Sequence, residues 1–482
     1  MRKNADLLPD VKLQEHQRRL YEEAKTEPVR KLLYHGLGSG KTLSSISMAE
    51  AQGEPYSAVV PASLRENFRK ELSRFTTGTV PSTILSYSEL ALGKRPKHFG
   101  TLIFDEAHRL RNLSSQQTQQ AIQAAQKAKQ LVLLSGTPVV NEPGDLAPLV
   151  SMLTGKNITP AEFEKRYVGD RKIYPSLFHR LLGISSGVEP DVINKDELRA
   201  LLKGHVDYYA PEKPVVPVNQ EEYVVEMGPE QSQLYKAMWD QLPWYLRWKL
   251  RYDFPLSREE LIRLRSFMTG PRQVGLSTLP YLRNKDPDVA FAQSPKLQMA
   301  YSKMIDHLKD PRTKGLVFSN FIQAGLLPYA AALSRAGVPA AIFHGGLTDT
   351  ERKKLVQDYN DGKLRVVLLG PSGTEGLSFK GTNLIQILDP YWNPIRGKQS
   401  IGRGLRFDSH EGLPEDLRYV KVQRFVSRLP LGFKNRLLSY IGFDRSRNRF
   451  AADDYLRQIE ARKELLNRKF LELLQQIGTE GK

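Results

Sequence analysis

YHGLGSGKT, Tyr34–Thr42, lies between an apolar run, KLLYH, and a segment with helical spacing, TLSSISMAEA. A short buried strand that feeds a glycine-rich loop and then a helix is the entry unit of a parallel α/β sheet. The strict phosphate-loop pattern, G-x-x-x-x-G-K-[ST], places its first glycine where this chain has His35. That departure leaves the atoms that touch phosphate in place. They are the backbone N–H groups around Gly38, Ser39 and Gly40, the Lys41 ammonium, and the Thr42 hydroxyl, which can ligate Mg²⁺. The helix that follows would aim the positive end of its dipole at the same anion. A ligand-free turn between strand and helix is the competing reading, and Gly-x-Gly-Lys-Thr in this setting argues against it.

Outward from the loop, LLYH, YSAVVPA, TLIFDEAH and QLVLLSGTP alternate with helical segments, and each ends in a polar, glycine-bearing or acidic turn. This pattern predicts a parallel sheet with function at the carboxyl ends of its strands. A second series follows residue 293: KGLVFSN, AAIFHGG, LRVVLLGPSGTEG and NLIQILDP. The expected organisation is an N-terminal nucleotide-binding lobe over 1–154, a mostly helical insertion over 155–292, a second α/β lobe over 293–430 and a basic helical extension over 431–482. In the extension, Leu466, Phe470, Leu473 and Ile477 share one helical face, and the expectation is a terminal helix packed on the second lobe.

The 482 residues carry 71 Lys and Arg against 53 Asp and Glu, a net charge of +18 that favours a polyanionic partner. The absence of cysteine excludes disulfides, thiolate zinc sites and cysteine nucleophiles together. No apolar run approaches a membrane span, and MRKNADLLPD lacks the apolar core of a signal peptide. The expectation is a soluble protein without a membrane partner, intracellular or carried in a particle.

TLIFDEAH, Thr101–His108, delivers two carboxylates at the tip of an apolar strand. Phosphoanhydride hydrolysis needs a metal to neutralise developing charge and a group to orient water. Asp105 suits the first role through Mg²⁺, and Glu106 suits the second. An isolated Asp-Glu turn is commonly just solvated, but one that follows a phosphate loop reads otherwise.

With these motifs the chain resembles a superfamily 2 nucleic-acid-dependent ATPase. It is most similar to the Swi/Snf-type branch, including the poxvirus nucleoside triphosphatase I group and related viral and phage enzymes. The resemblance implies two RecA-like lobes. KLQEHQ, with Gln17, resembles the glutamine motif that reads adenine, and VVPASLRENFRKEL the motif whose loop contacts the nucleic-acid backbone. LLSGTPVVNEPGDL, with Ser135, Gly136 and Thr137, resembles the motif that couples nucleotide state to lobe movement, and His108 of the DEAH pattern links to it. In the second lobe LLGPSGTEGLSF carries Gly376, ILDPYWNP is typical of the Swi/Snf branch, and QSIGRGLRF supplies Gln399, Arg403 and Arg406. The two arginines are implied as fingers on the terminal phosphate of ATP, which completes its site in a cleft between the lobes.

The function implied is ATP-driven translocation on double-stranded DNA, in the host cytoplasm or virion if the source is viral. The alternatives are a strand-separating DNA or RNA helicase, or the ATPase subunit of a viral or phage transcription, replication or packaging assembly. WYLRWKLRYDF leaves two readings: Trp244 and Trp248 contact nucleic acid or form a wedge, or they form an aromatic face packed on a lobe with a basic outer side. The second is the expectation, because aromatics at helical spacing are usually core.

Overall fold

The computed structural model describes residues 7–8, 10–36, 38–173, 187–210, 216–251, 256, 258–371, 379–390, 410, 412–430 and 451–480. The chain forms two compact units, residues 1–213 with 462–482, and residues 214–461. The region 155–292 is therefore shared between the units.

The first unit contains β1 (Arg30–His35), β2 (Tyr56–Val60), β3 (Ser82–Ser86), β4 (Thr101–Phe104), β5 (Gln130–Ser135), an antiparallel hairpin of β6 (Val168–Ile173) and β7 (Gly187–Val192), and β8 (Val206–Tyr209). One sheet runs β3-β2-β4-β5-β1-β8, every pair parallel. Parallel strands buried on both faces need apolar residues at successive positions, and the chain supplies them. Leu32, Leu102, Leu131 and Leu133 pack into one core, whereas Leu33, Ile103, Val132 and Leu134 pack into another on the opposite face. Three helices cover this frame near the site: α1 (Glu15–Thr26), α2 (Lys41–Gln52) and α3 (Arg65–Phe75). The small serines of α2 allow it to lie deep: Ser44, Ser45 and Ser47 are buried, and their hydroxyls donate to the carbonyls of Gly40, Thr42 and Ser44. Strand order places β4, β5 and β1 side by side, so their carboxyl ends form one edge.

The second unit contains β9 (Val218–Glu226), β10 (Gly315–Phe318), β11 (Ala340–Phe343), β12 (Val366–Leu369), β13 (Leu384–Ile387) and β14 (Val420–Arg428), in the order β11-β12-β10-β13-β14-β9, again all parallel. The region read as a helical insertion is helical over Pro229–Trp239, Trp244–Arg251, Arg258–Phe267 and Thr269–Leu276, and it also contributes the edge strands β8 and β9. Among the described residues, no helix is long and apolar enough to cross a membrane.

Two packing expectations are corrected. In the helix Trp244–Arg251, Trp244 is 74 % exposed and Trp248 48 %, while Leu246 and Leu250 are buried with Tyr235, Leu242, Leu264 and Met268. Both pairs are four residues apart, so only one can face inward, and the core takes the leucines. In the terminal helix Ala452–Glu480, Leu466, Phe470, Leu473 and Ile477 are buried as their spacing indicates, but in the core of the first unit, where Phe470 lies 6.0 Å from Phe163. Only the start of this helix belongs to the second unit: Asp453 pairs with the buried Lys296 at 2.7 Å, and Asp454 with Arg428 at 2.9 Å. A helix rising about 1.5 Å per residue is long enough for its two ends to have different neighbours.

Candidate nucleotide site

The loop after β1 turns into α2 through two glycines in the left-handed region, Gly38 (φ 73°) and Gly40 (φ 72°). The left-handed backbone favours glycine at 40, and a Cβ there would also displace the Gln17 amide, whose Nε2 would lie 2.6 Å away. Lys41 Nζ donates to the carbonyls of His35 and Gly36, each at 3.0 Å, which sets the ammonium at the mouth of the loop. Burial lowers its pKa, and the charges of Glu106 and Asp105 oppose that shift. Thr42 occupies the first turn of α2.

At the end of β4, Asp105 is buried and its carboxylate accepts the Glu106 N–H at 2.9 Å. Burial pushes its pKa up to about 7, the Glu106 charge adds to the rise, and Lys41 acts against both. Glu106 has φ 52° and ψ 49°, a left-handed conformation for a residue with a side chain. Such strain persists where the surroundings hold it, commonly at reaction centres. Its carboxylate lies 3.3 Å from His108 Nδ1, and the same nitrogen lies 3.3 Å from Ser135 Oγ. Ser135 Oγ in turn accepts the Thr137 N–H at 3.1 Å. A Cβ on Gly136 would sit 3.7 Å from Lys41 Nζ, so the Ser-Gly-Thr turn borders the loop directly. Glu106, His108, Ser135 and Thr137 thus form one contiguous polar chain from β4 to β5.

Gln17 and Ser39 are both tied to the loop by hydrogen bonds. Gln17 is buried, donates from Nε2 to the Gly40 carbonyl at 3.3 Å and accepts the Gln14 N–H at 2.9 Å. The Ser39 carbonyl accepts from His16 Nε2 at 3.1 Å. Gly376, Gln399, Arg403 and Arg406 lie outside the described residues. Asp389, which opens DPYWNP, is described: it is buried, pairs with Arg272 at 3.1 Å, and accepts from Ser319 Oγ at 2.7 Å and the Asn320 N–H at 3.0 Å.

Four residues at the loop escaped the sequence reading: His16 and Arg19 on α1, and Asp207 and Tyr209 on β8. For Asp207 and Tyr209 the signal was HVDYYAP, a short run inside the supposed insertion whose aspartate suits the unexplained His35.

A parallel α/β unit that gathers a phosphate loop, a paired Asp-Glu and a Ser-Gly-Thr turn on adjacent strands defines a P-loop nucleoside triphosphatase. Residues 82–242 match the SNF2-related domain, and residues 297–408 match the helicase conserved C-terminal domain. The chain belongs to the superfamily 2 helicase-like ATPases, in the Swi/Snf-type branch, and is an ATP-hydrolysing enzyme. A protein of Acanthamoeba polyphaga mimivirus named as an ATP-dependent RNA helicase is 26 % identical over 461 residues, spanning 92 % of each chain. The termination factor NPH-I homolog of African swine fever virus is 22 % identical over 546 residues, spanning 93 % of this chain and 76 % of that one. The solved Sulfolobus solfataricus SWI2/SNF2 ATPase core in complex with dsDNA aligns over 98 % of this chain and 99 % of its own, at 18 % identity and a TM-score of 0.35.

Proposed function

We propose that this ATPase is a translocase on double-stranded DNA and that it hydrolyses ATP at the site built by Lys41, Thr42, Asp105 and Glu106. The observation that carries the site assignment is the contiguous chain from Glu106 through His108 and Ser135 to Thr137, whose Ser-Gly-Thr turn lies beside Lys41 of the phosphate loop. Lys41 holds the terminal phosphates, Glu106 orients and deprotonates the attacking water, and His108 with Ser135, Gly136 and Thr137 transmits nucleotide state. Arg403 and Arg406 are assigned to the charge that builds on the terminal phosphate in the transition state, and Gln17, Gly376 and Gln399 to nucleotide binding.

The donor set fits Mg²⁺. The Thr42 hydroxyl and the Asp105 carboxylate are hard oxygen ligands, and a dication would relieve the cost of burying Asp105. Bound there, the ion would neutralise charge on the phosphates.

For the substrate, the net charge of +18 and the Swi/Snf-type membership favour the duplex reading. An RNA helicase is the second reading, supported by the name of the mimivirus relative, and an ATPase subunit of a viral transcription assembly is a third, supported by that of the African swine fever virus relative. The test is ATPase rate with double-stranded DNA, single-stranded DNA, RNA and no nucleic acid. Greatest stimulation by duplex DNA is the expected result. Stimulation by RNA alone favours the helicase, and no stimulation at all favours the assembly subunit.

A further inference from the structure

The phosphate loop is held by groups that lie outside it. On one side, α1 reaches it with His16, which donates to the Ser39 carbonyl at 3.1 Å, and with Gln17 at the Gly40 carbonyl. On the other, β8 reaches it where the Gly36 N–H donates to the Tyr209 carbonyl at 2.8 Å. The two sides meet at Asp207. This carboxylate, 1 % exposed, accepts from His35 Nε2 at 2.7 Å and pairs with Arg19 of α1. His35 is itself fully buried, and His16 stacks on Tyr209 with ring centroids 3.6 Å apart. The Asp207 carboxylate stays ionised: burial alone would raise its pKa, but hydrogen bonds from His35 and Arg19 hold it below the ordinary value.

We propose that Asp207, acting through His35 and braced by Arg19, is a positioning residue that fixes the phosphate loop for ATP. The proposal rests on the reading of Gly38–Thr42 as the phosphate cradle. A loop whose two glycines are left-handed has little stiffness of its own, so its N–H groups converge on phosphate only if its ends are clamped. The histidine in place of the usual small first residue is then a functional substitution: it carries the donor that reaches the β8 carboxylate. Loop N–H groups bind phosphate in the ground state and the transition state alike, so loss of the clamp should raise KM and spare kcat.

Steady-state ATPase kinetics and thermal melting of the full chain test this. Asp207→Asn is expected to raise KM for ATP about tenfold with kcat within about threefold of wild type. His35→Gln keeps a donor and should stay within about threefold of the wild-type KM, whereas His35→Leu should match Asp207→Asn. In a double-mutant cycle, Asp207→Asn and His35→Leu together should cost no more than either alone. An unchanged KM in a folded Asp207→Asn protein overturns the proposal, as do additive effects in the cycle. If Asp207→Asn does not fold, equal KM values for His35→Gln and His35→Leu overturn it instead. Lys41→Ala measured alongside separates the two failures. If Lys41→Ala loses ATP binding while Asp207→Asn is unchanged, the positioning role alone fails; if Lys41→Ala binds ATP normally, the phosphate-cradle reading fails and the positioning role with it.

Discussion

Replacing Glu106 with glycine is expected to stabilise the protein while stopping its chemistry. Glu106 sits at φ 52°, ψ 49°, where a side chain costs about 1–2 kcal/mol relative to a right-handed conformation. Glycine removes that cost but adds back roughly 0.5–1 kcal/mol through the freedom of the unfolded chain. The contact with His108 is 3.3 Å long and involves a carboxylate with 36 % side-chain exposure, so its loss costs little, and removing the charge beside the buried Asp105 offsets it. Glu106→Gln is the reference, because it drops the charge and keeps the strained backbone. Glu106→Gly should therefore exceed Glu106→Gln by about 0.5–1 kcal/mol, or roughly 1–4 °C in Tm for a unit of this size. Both variants should lose hydrolysis by about 10²–10⁴-fold, the range for removal of a positioned base. Differential scanning fluorimetry of nucleotide-free protein measures the first quantity and phosphate release the second. A glycine variant that melts at or below the glutamine variant refutes the strain argument. Near wild-type hydrolysis by Glu106→Gln refutes the assignment of the base.

Lys41→Ala should abolish hydrolysis and weaken ATP binding, checked by nucleotide titration and phosphate release; unchanged affinity and turnover together would remove the phosphate-loop assignment. Burial pushes the Asp105 pKa up to about 7 from an ordinary 3.8, so the native state holds its proton more tightly than the unfolded chain does. Its contribution to stability is fully present below about pH 3.8 and is lost as pH rises through about 7. In metal-free protein the Tm of Asp105→Asn relative to wild type should therefore rise between pH 5 and 8, and a flat difference counts against the shift. Arg403→Ala and Arg406→Ala should lower kcat, by as much as about 10³–10⁵-fold for a full finger, with modest change in ATP binding; normal kcat in both sinks their assignment. A DNA triplex should lose its third strand in an ATP-dependent manner while a tailed duplex unwinds weakly. Strong unwinding that disappears in Trp248→Ala with ATPase activity intact would instead make the exposed tryptophan face a wedge.

The sequence was most informative where function needs fixed local chemistry. KLLYH, the glycine loop and TLSSISMAEA specify strand, turn and helix within one short span, and β1 followed by α2 is the result. TLIFDEAH and QLVLLSGTP are legible for the same reason: continuous apolar runs mark strands buried on both faces, and polar residues mark their carboxyl ends. VDYY and VNQEEYVVE carried weaker signals. Both are edge strands, so VNQEEYVVE contains exposed polar positions and does not read as a buried run. Asp207 was missed because its partners, Arg19 and His35, are remote in sequence, and only the parallel pairing of β1 with β8 brings it to the loop. Trp244 and Trp248 were misassigned because helical spacing defines a face without saying which of two competing faces turns inward.

The placement of the last helix and of β9 bears on how the protein is made. Val218–Glu226 pairs along its whole length with Val420–Arg428, and Leu466, Phe470, Leu473 and Ile477 complete a core begun by residues such as Leu32 and Leu102. Such long-range closures are slow, because ordering the intervening chain precedes the contacts that reward it. On the ribosome, neither half can finish folding when its first strands emerge. The phosphate loop is synthesised early, but its half waits for the terminal helix, so a prematurely stopped chain would expose unfinished apolar surface to chaperones and proteases instead of yielding an independent ATPase.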